Sequence, residues 1–252
     1  MSRTPQPFPR FDRLERAVHW SNASLFLVLI ATGASLKVGS IATIVANRAL
    51  VKTIHVYAGL LLPVPLLLGI IAPAGRQLRR DLGRFNRWTQ DDRRWWSPRT
   101  RHDAQLGKFN PGQKLNAVFT GAAIVVMLMT GSIMRWPGPF SDSWRTGATF
   151  VHDSTWLVLI IVISGHIMFA LRDFDSLRSM VRGWVPEPWA RRERPRWWAE
   201  IVTARGGSAA AIGDVVAGGE QRLREPGARA REVTVGDGVD ARAGDRLGGG
   251  NL

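Results

Sequence analysis

Four blocks of this chain contain no Asp, Glu, Lys or Arg: Ala17 to Leu36, Thr53 to Pro73, Leu115 to Met134 and Ser154 to Leu171. Each approaches the roughly 20 residues needed to cross a hydrocarbon core of about 30 Å at 1.5 Å per helical residue. Between them lie connectors rich in Arg, so the mean hydropathy of −0.05 averages two unlike materials. The pattern predicts an all-α integral membrane four-helix bundle, with helices at about 17–36, 53–73, 115–134 and 152–171. The first block is longer than the apolar region of a signal peptide, and no clear small-x-small cleavage site follows it before Lys37.

Beyond about Thr203 the composition shifts to Gly, Ala, Arg and Val without any aromatic residue. Such a stretch cannot bury enough apolar surface to offset its ordering entropy. The expected organisation is therefore a membrane domain over 1–202 and a disordered C-terminal tail over 203–252. No internal repeat is evident.

The net charge of +14, from 34 Lys+Arg against 20 Asp+Glu, invites a nucleic-acid reading that four membrane spans exclude. Its distribution carries topology instead, because Lys and Arg flanking membrane helices stay on the cytoplasmic side. Before helix 1, between helices 2 and 3, and between helix 4 and Arg196 there are 22 basic residues, against 5 in the other two connections. Both termini are thus expected inside, in a multi-pass protein of the cell inner (cytoplasmic) membrane. Trp20, Trp136, Trp144 and Trp156 fall near predicted helix ends, where indoles favour the headgroup region. Trp184, Trp189, Trp197 and Trp198, interleaved with Arg and Pro, suggest a segment on the inner membrane surface or against a partner.

The chain has no cysteine, which removes disulfides, thiolate-held iron–sulfur clusters and haem attached through C-x-x-C-H. Histidine becomes the ligand to consider. His102 sits in a polar loop, whereas His19, His55, His152 and His166 lie within or at the ends of the apolar blocks, where ionisable groups are usually functional. His152 and His166 are 14 residues apart, nearly four turns, so they share a helix face about 21 Å apart. The predicted topology puts His19 level with His166 near the inner surface and His55 level with His152 near the outer one. Facing imidazole pairs suit axial ligation of haem iron, and two haem b groups stacked across the membrane are expected. Gly59 and Gly165 would reduce bulk where a macrocycle approaches.

Before helix 3 the chain reads KFNPGQK, Lys108 to Lys114. Asn110 and Gln113 supply amides, and Pro111 and Gly112 predict a turn presenting backbone N–H groups. On these residues alone a plain turn leading into a helix is the better reading.

Together, RxxHW (Arg16, His19, Trp20), the histidine of helix 2, KFNPGQK and the His152/His166 pair resemble the gamma, cytochrome b556 subunit of membrane-bound respiratory formate dehydrogenases. The similarity covers about residues 10–195. It implies an electron-transfer and quinone-reducing subunit of anaerobic respiration. A molybdenum or tungsten alpha subunit would oxidise formate, and an iron–sulfur beta subunit would relay the electrons from the outer side. It further implies that His55 and His152 hold the outer haem and His19 and His166 the inner one. Asn110, Gly112 and Gln113 would line a site for menaquinone or ubiquinone beside His166. Cytochrome b subunits of nickel–iron hydrogenases or thiosulfate reductases, and a haem-free transporter or scaffold, remain alternatives on the histidines alone. The long loop from Arg76 to Arg101 and the tail have no counterpart in that resemblance.

Overall fold

The computed structural model describes residues 7–38 and 47–206. Among these, four helices are long and apolar enough to cross a membrane: Arg13–Lys37, Arg48–Ile71, Pro111–Arg135 and Asp142–Arg172. They are called helices 1 to 4 here. The expected all-α bundle is the observed one, with boundaries that differ for physical reasons.

Helix 1 begins earlier than its uncharged block because Asp12 caps it. The Asp12 carboxylate accepts from Glu15 N and the Glu15 carboxylate accepts from Asp12 N, satisfying two first-turn donors reciprocally. Helix 2 is two pieces, Arg48–Leu61 and Val64–Ile71. Pro63 has no N–H to continue the ladder, and Leu62 N–H tightens onto Gly59 O at 3.3 Å. Helix 4 starts ten residues before the expected 152, because the polar turns from Asp142 continue the hydrogen-bond ladder outside the apolar block.

Helix 1 packs along helix 2 and helix 3 along helix 4, and the first piece of helix 2 touches helix 3. The apolar windows are largely unburied, with 6% to 17% of each window buried inside the chain. Side chains such as Leu27, Leu68 and Phe169 face outward, as lipid contact requires. An up-and-down order brings the start of helix 1 and the end of helix 4 to one end, the basic end; Lys37 pairs with Asp153 at the opposite end.

The aqueous core lies at the basic end. Strands Pro7–Pro9 and Trp184–Pro186 pair antiparallel with Phe8 opposite Val185. Around them pack helices Phe174–Arg182, Glu187–Glu193 and Pro195–Ala204. Trp197 meets Phe8 edge-on at 5.1 Å between ring centres. Trp189, Trp197 and Trp198 are all buried, so three of the four tryptophans expected on the inner membrane surface or against a partner instead fill this cap. Their rings supply apolar area that a segment of so many Arg and Pro residues otherwise lacks. Thr203 and Ala204 complete the last helix; from 207 onward the expected tail lies outside the described residues.

The loop from Arg76 to Arg101 is also folded. It forms helices Arg76–Phe85 and Gln90–Trp96, the second started by a Thr89/Asp92 capping box.

Candidate functional site

RxxHW anchors helix 1 to the cap. Arg16 donates to Val181 O, and Trp20 Nε1 donates to Met180 O at 2.8 Å. Those carbonyls end helix Phe174–Arg182, where intrahelical donors run out. Trp20 is therefore a tie between elements as well as a boundary residue. Gly183 closes the same helix with φ of 88°, and a Cβ there would stand 2.8 Å from Phe11 O.

One turn inward from Arg16, His19 faces His166 of helix 4 with ring centres 6.4 Å apart. Near the other end His55 of helix 2 faces His152 of helix 4, also at 6.4 Å. A metal–nitrogen bond of about 2.0 Å on either side requires about 6 Å between the two ring centres. Both pairs match that spacing. His102, by contrast, is exposed in the turn Arg101–Asp103.

The outer-shell contacts also fit an axial role. His55 Nδ1 lies 2.8 Å from Thr32 Oγ1, and His152 Nδ1 lies 2.9 Å from Thr130 Oγ1. Each imidazole so held has its Nε2 left for a ligand. Asn22 Oδ1 and Trp156 Nε1 are buried without partners among the described residues. Asn22 is one turn from His19 and Trp156 one turn from His152. Buried polar atoms are nearly always paired, so these orphans suit a polar group from outside the chain seated beside each pair. Trp156 thus points its N–H into the bundle rather than serving as the boundary anchor its position suggested.

Two glycines not singled out from the sequence stand against the imidazoles themselves. Gly59 meets only Leu29 at ordinary contact distance, and Gly165 faces open space. A Cβ on Gly33 would stand 3.1 Å from Trp156 Nε1 and 3.5 Å from His55 Cε1, and one on Gly131 would stand 3.4 Å from His152 Cε1. Sequence reasoning missed Thr32–Gly33 and Thr130–Gly131. The available signal was a Thr-Gly pair recurring 23 residues before His55 and 22 before His152.

KFNPGQK is the start of helix 3 rather than a free turn. Asn110 caps it, Pro111 occupies the first helical position where no N–H is needed, and Gly112 lies in the first turn. Asn110 Oδ1 accepts from Gln113 N at 2.8 Å, and Gln113 Oε1 accepts from Asn110 N at 3.1 Å. Both oxygens are spent, leaving the Asn110 Nδ2 and Gln113 Nε2 donors. The Gly112 N–H also has no acceptor among the described residues. Trp95 packs over this turn, 3.4 Å from where a Gly112 Cβ would stand.

The two lysines of the motif are buried in ion pairs with the Arg- and Trp-rich loop, which gives that loop a role. Lys108 Nζ pairs with Asp81 and with Glu15 at 3.4 Å, and its side chain is fully buried. Burial pushes the Lys108 ammonium below its ordinary value, against the pull of the Asp81 and Glu15 carboxylates. Lys114 Nζ bonds Asp92 Oδ2 at 2.8 Å. Burial raises the Asp92 carboxyl, but the bonds from Lys114 and Thr89 outweigh it and hold it below the usual carboxylate range.

In the antiparallel pair of helices 3 and 4, the Thr130–His152 contact sets the register. His166 then stands level with about residue 116, roughly 9 Å along the helix axis from Asn110.

Residues 10–183 match the model of the family described as prokaryotic cytochrome b561. The cytochrome b556(fdo) subunit of formate dehydrogenase from Escherichia coli K12 is 27% identical over 206 residues, covering 76% of this chain and 92% of that protein. The formate dehydrogenase cytochrome b556 subunit of Haemophilus influenzae is 35% identical over 106 residues, 40% of this chain and 44% of that protein. The nitrate-inducible formate dehydrogenase cytochrome b556(Fdn) subunit of Escherichia coli K12 is 31% identical over 105 residues, 40% and 48% of the respective chains. With paired imidazoles between apolar helices and a family match across all four of them, the chain belongs to the prokaryotic cytochrome b561 family.

Proposed function

We propose that this chain is the membrane cytochrome b subunit of a formate dehydrogenase, carrying electrons from an iron–sulfur partner to quinone. The observation that carries the reading is the pair of 6.4 Å imidazole separations at opposite ends of one bundle. The names of its relatives favour formate over hydrogen or sulfur compounds as the source of electrons.

In this reading His55 and His152 would hold the haem at the outer end, and His19 and His166 the one at the inner end. Each haem b, when bound, supplies a one-electron ferric/ferrous couple. The basic end is cytoplasmic, oriented by its excess of Lys and Arg. The partner's oxidation of formate to carbon dioxide releases two electrons and one proton. Quinone takes up two electrons and two protons to become quinol, next to the inner pair. Asn110 Nδ2, Gln113 Nε2 and the Gly112 N–H are the donors that hold its carbonyl, and their oxygens stay locked in the helix cap. Lys108 and Lys114, sequestered by Asp81, Glu15 and Asp92, keep that cap rigid.

Anaerobic spectra of the purified complex test this directly. Formate should reduce two low-spin b haems, and added menaquinone or ubiquinone should reoxidise them. A preparation with intact partners but no haem absorption would refute the assignment, and would favour a transporter or scaffold.

A further inference from the structure

We infer that Thr32 and Thr130 make the outer histidine pair the lower-potential one, so that the direction of electron flow is set by two hydroxyl groups. This rests on the reading of the four histidines as axial ligands. Thr32 Oγ1 lies 2.7 Å from Val28 O, one turn back, and 2.8 Å from His55 Nδ1. Thr130 Oγ1 repeats this, 2.8 Å from Val126 O and 2.9 Å from His152 Nδ1. A hydroxyl has one hydrogen. With Nε2 turned to the metal, Nδ1 keeps its proton and donates it to the threonine oxygen, and the threonine hydrogen goes to the helix carbonyl.

That relay polarises in one direction. An oxygen already donating to a carbonyl is a better acceptor, so the two bonds strengthen each other. An Nδ1–H drawn toward an acceptor raises the basicity of Nε2, and a more basic axial ligand favours ferric over ferrous iron. Both imidazoles of the outer pair are held this way. At the inner pair, among the described residues, His19 Nδ1 is buried without a partner and His166 has no hydrogen bond. The outer couple is therefore the stronger reductant, and an electron arriving there moves downhill to the pair beside the quinone.

Gly33 and Gly131 complete the device. Each follows its threonine directly and leaves the space in which the imidazole approaches the hydroxyl. The arrangement occurs twice, helix 1 against helix 2 and helix 3 against helix 4, so it acts on both axial ligands of one site and on neither of the other.

The test is potentiometry of the purified complex carrying Thr32→Val, Thr130→Val or both, with Thr→Ser as the conservative control. Haem content is measured first, by pyridine haemochrome. Two haems per complex with two one-electron transitions is the expected starting point; fewer would sink the ligand assignment rather than this inference. The valine variants should keep both haems and raise only the lower transition, the double variant most, and serine should restore it. A lower transition that stays put at full haem content, or movement of the upper one, would overturn the inference. Should valine prevent assembly, His19→Ala gives a second reading, because it removes the inner haem. The haem that remains must titrate at the lower of the two wild-type potentials, and survival of the higher one is equally fatal.

Discussion

Lys114 places its ammonium 2.9 and 2.8 Å from the two carboxylate oxygens of Asp92, and neither side chain reaches solvent. This pair ties the first turn of helix 3 to the helix Gln90–Trp96. Removing one partner strands the other charge in a buried site, at about 3–5 kcal/mol. Lys114→Met or Asp92→Leu alone should lower the melting temperature of the purified protein sharply. The double variant should lose less than the sum of the singles, and additive losses would mean the charges act independently.

Asp92 also gives a pH signature. Its folded value lies below the ordinary carboxylate range, so the stability it contributes is present above the unfolded value of about 3.9 and disappears as pH falls through the folded value. Between pH 5 and 8 the stability gap between the protein and Asp92→Asn should be flat. Below about pH 4 it should narrow, as a series of melting curves would show.

In the proposed function the cap of helix 3 has two separable roles, closing the helix and holding the quinone. Asn110→Asp and Gln113→Glu keep the oxygens that accept from backbone N–H and lose the amide donors. Melting should hardly change, whereas the KM for quinone should rise about 2- to 10-fold for each lost hydrogen bond. Asn110→Ala should additionally destabilise by about 1 kcal/mol, the usual effect of a missing cap. Unchanged quinone kinetics in the aspartate variant would remove Asn110 from the site.

Haem loading should follow the pairs. His55→Ala and His152→Ala should each halve the haem content, and the double variant should lose no more than either single. His19→Ala and His166→Ala should behave the same way for the other half. Retention of both haems in any single variant, measured per protein, would break the pairing.

Gly183→Ala should destabilise the cap at the basic end. The left-handed backbone disfavours a side chain by about 1–2 kcal/mol, and the clash with Phe11 O adds to this. The measurement is again thermal melting, with haem content expected to stay at wild type.

Some of this was written in the chain and some was not. Sterics and burial at single positions are invisible to a linear pattern. Pro63 was in plain view, yet the length of the apolar block alone suggested an unbroken helix. The Trp189, Trp197 and Trp198 cluster reads equally well as membrane anchor or buried core, because an indole suits both, and only the strands at Phe8 and Val185 decided between them. Nothing in KFNPGQK itself shows that Lys108 and Lys114 are buried, because their partners Asp81 and Asp92 lie 27 and 22 residues away.

What the sequence determined by itself was the four spans, the asymmetry of basic residues and the levels of the histidines. Each follows from local quantities: a run of uncharged residues, a count of Lys and Arg, and a helical rise per residue. What the tertiary structure decided was the near 6 Å approach of the imidazoles, the threonine behind each outer one, and the burial of the motif lysines. Those depend on how helices far apart in the chain settle against each other, and no periodicity along one helix encodes the shape of its neighbour.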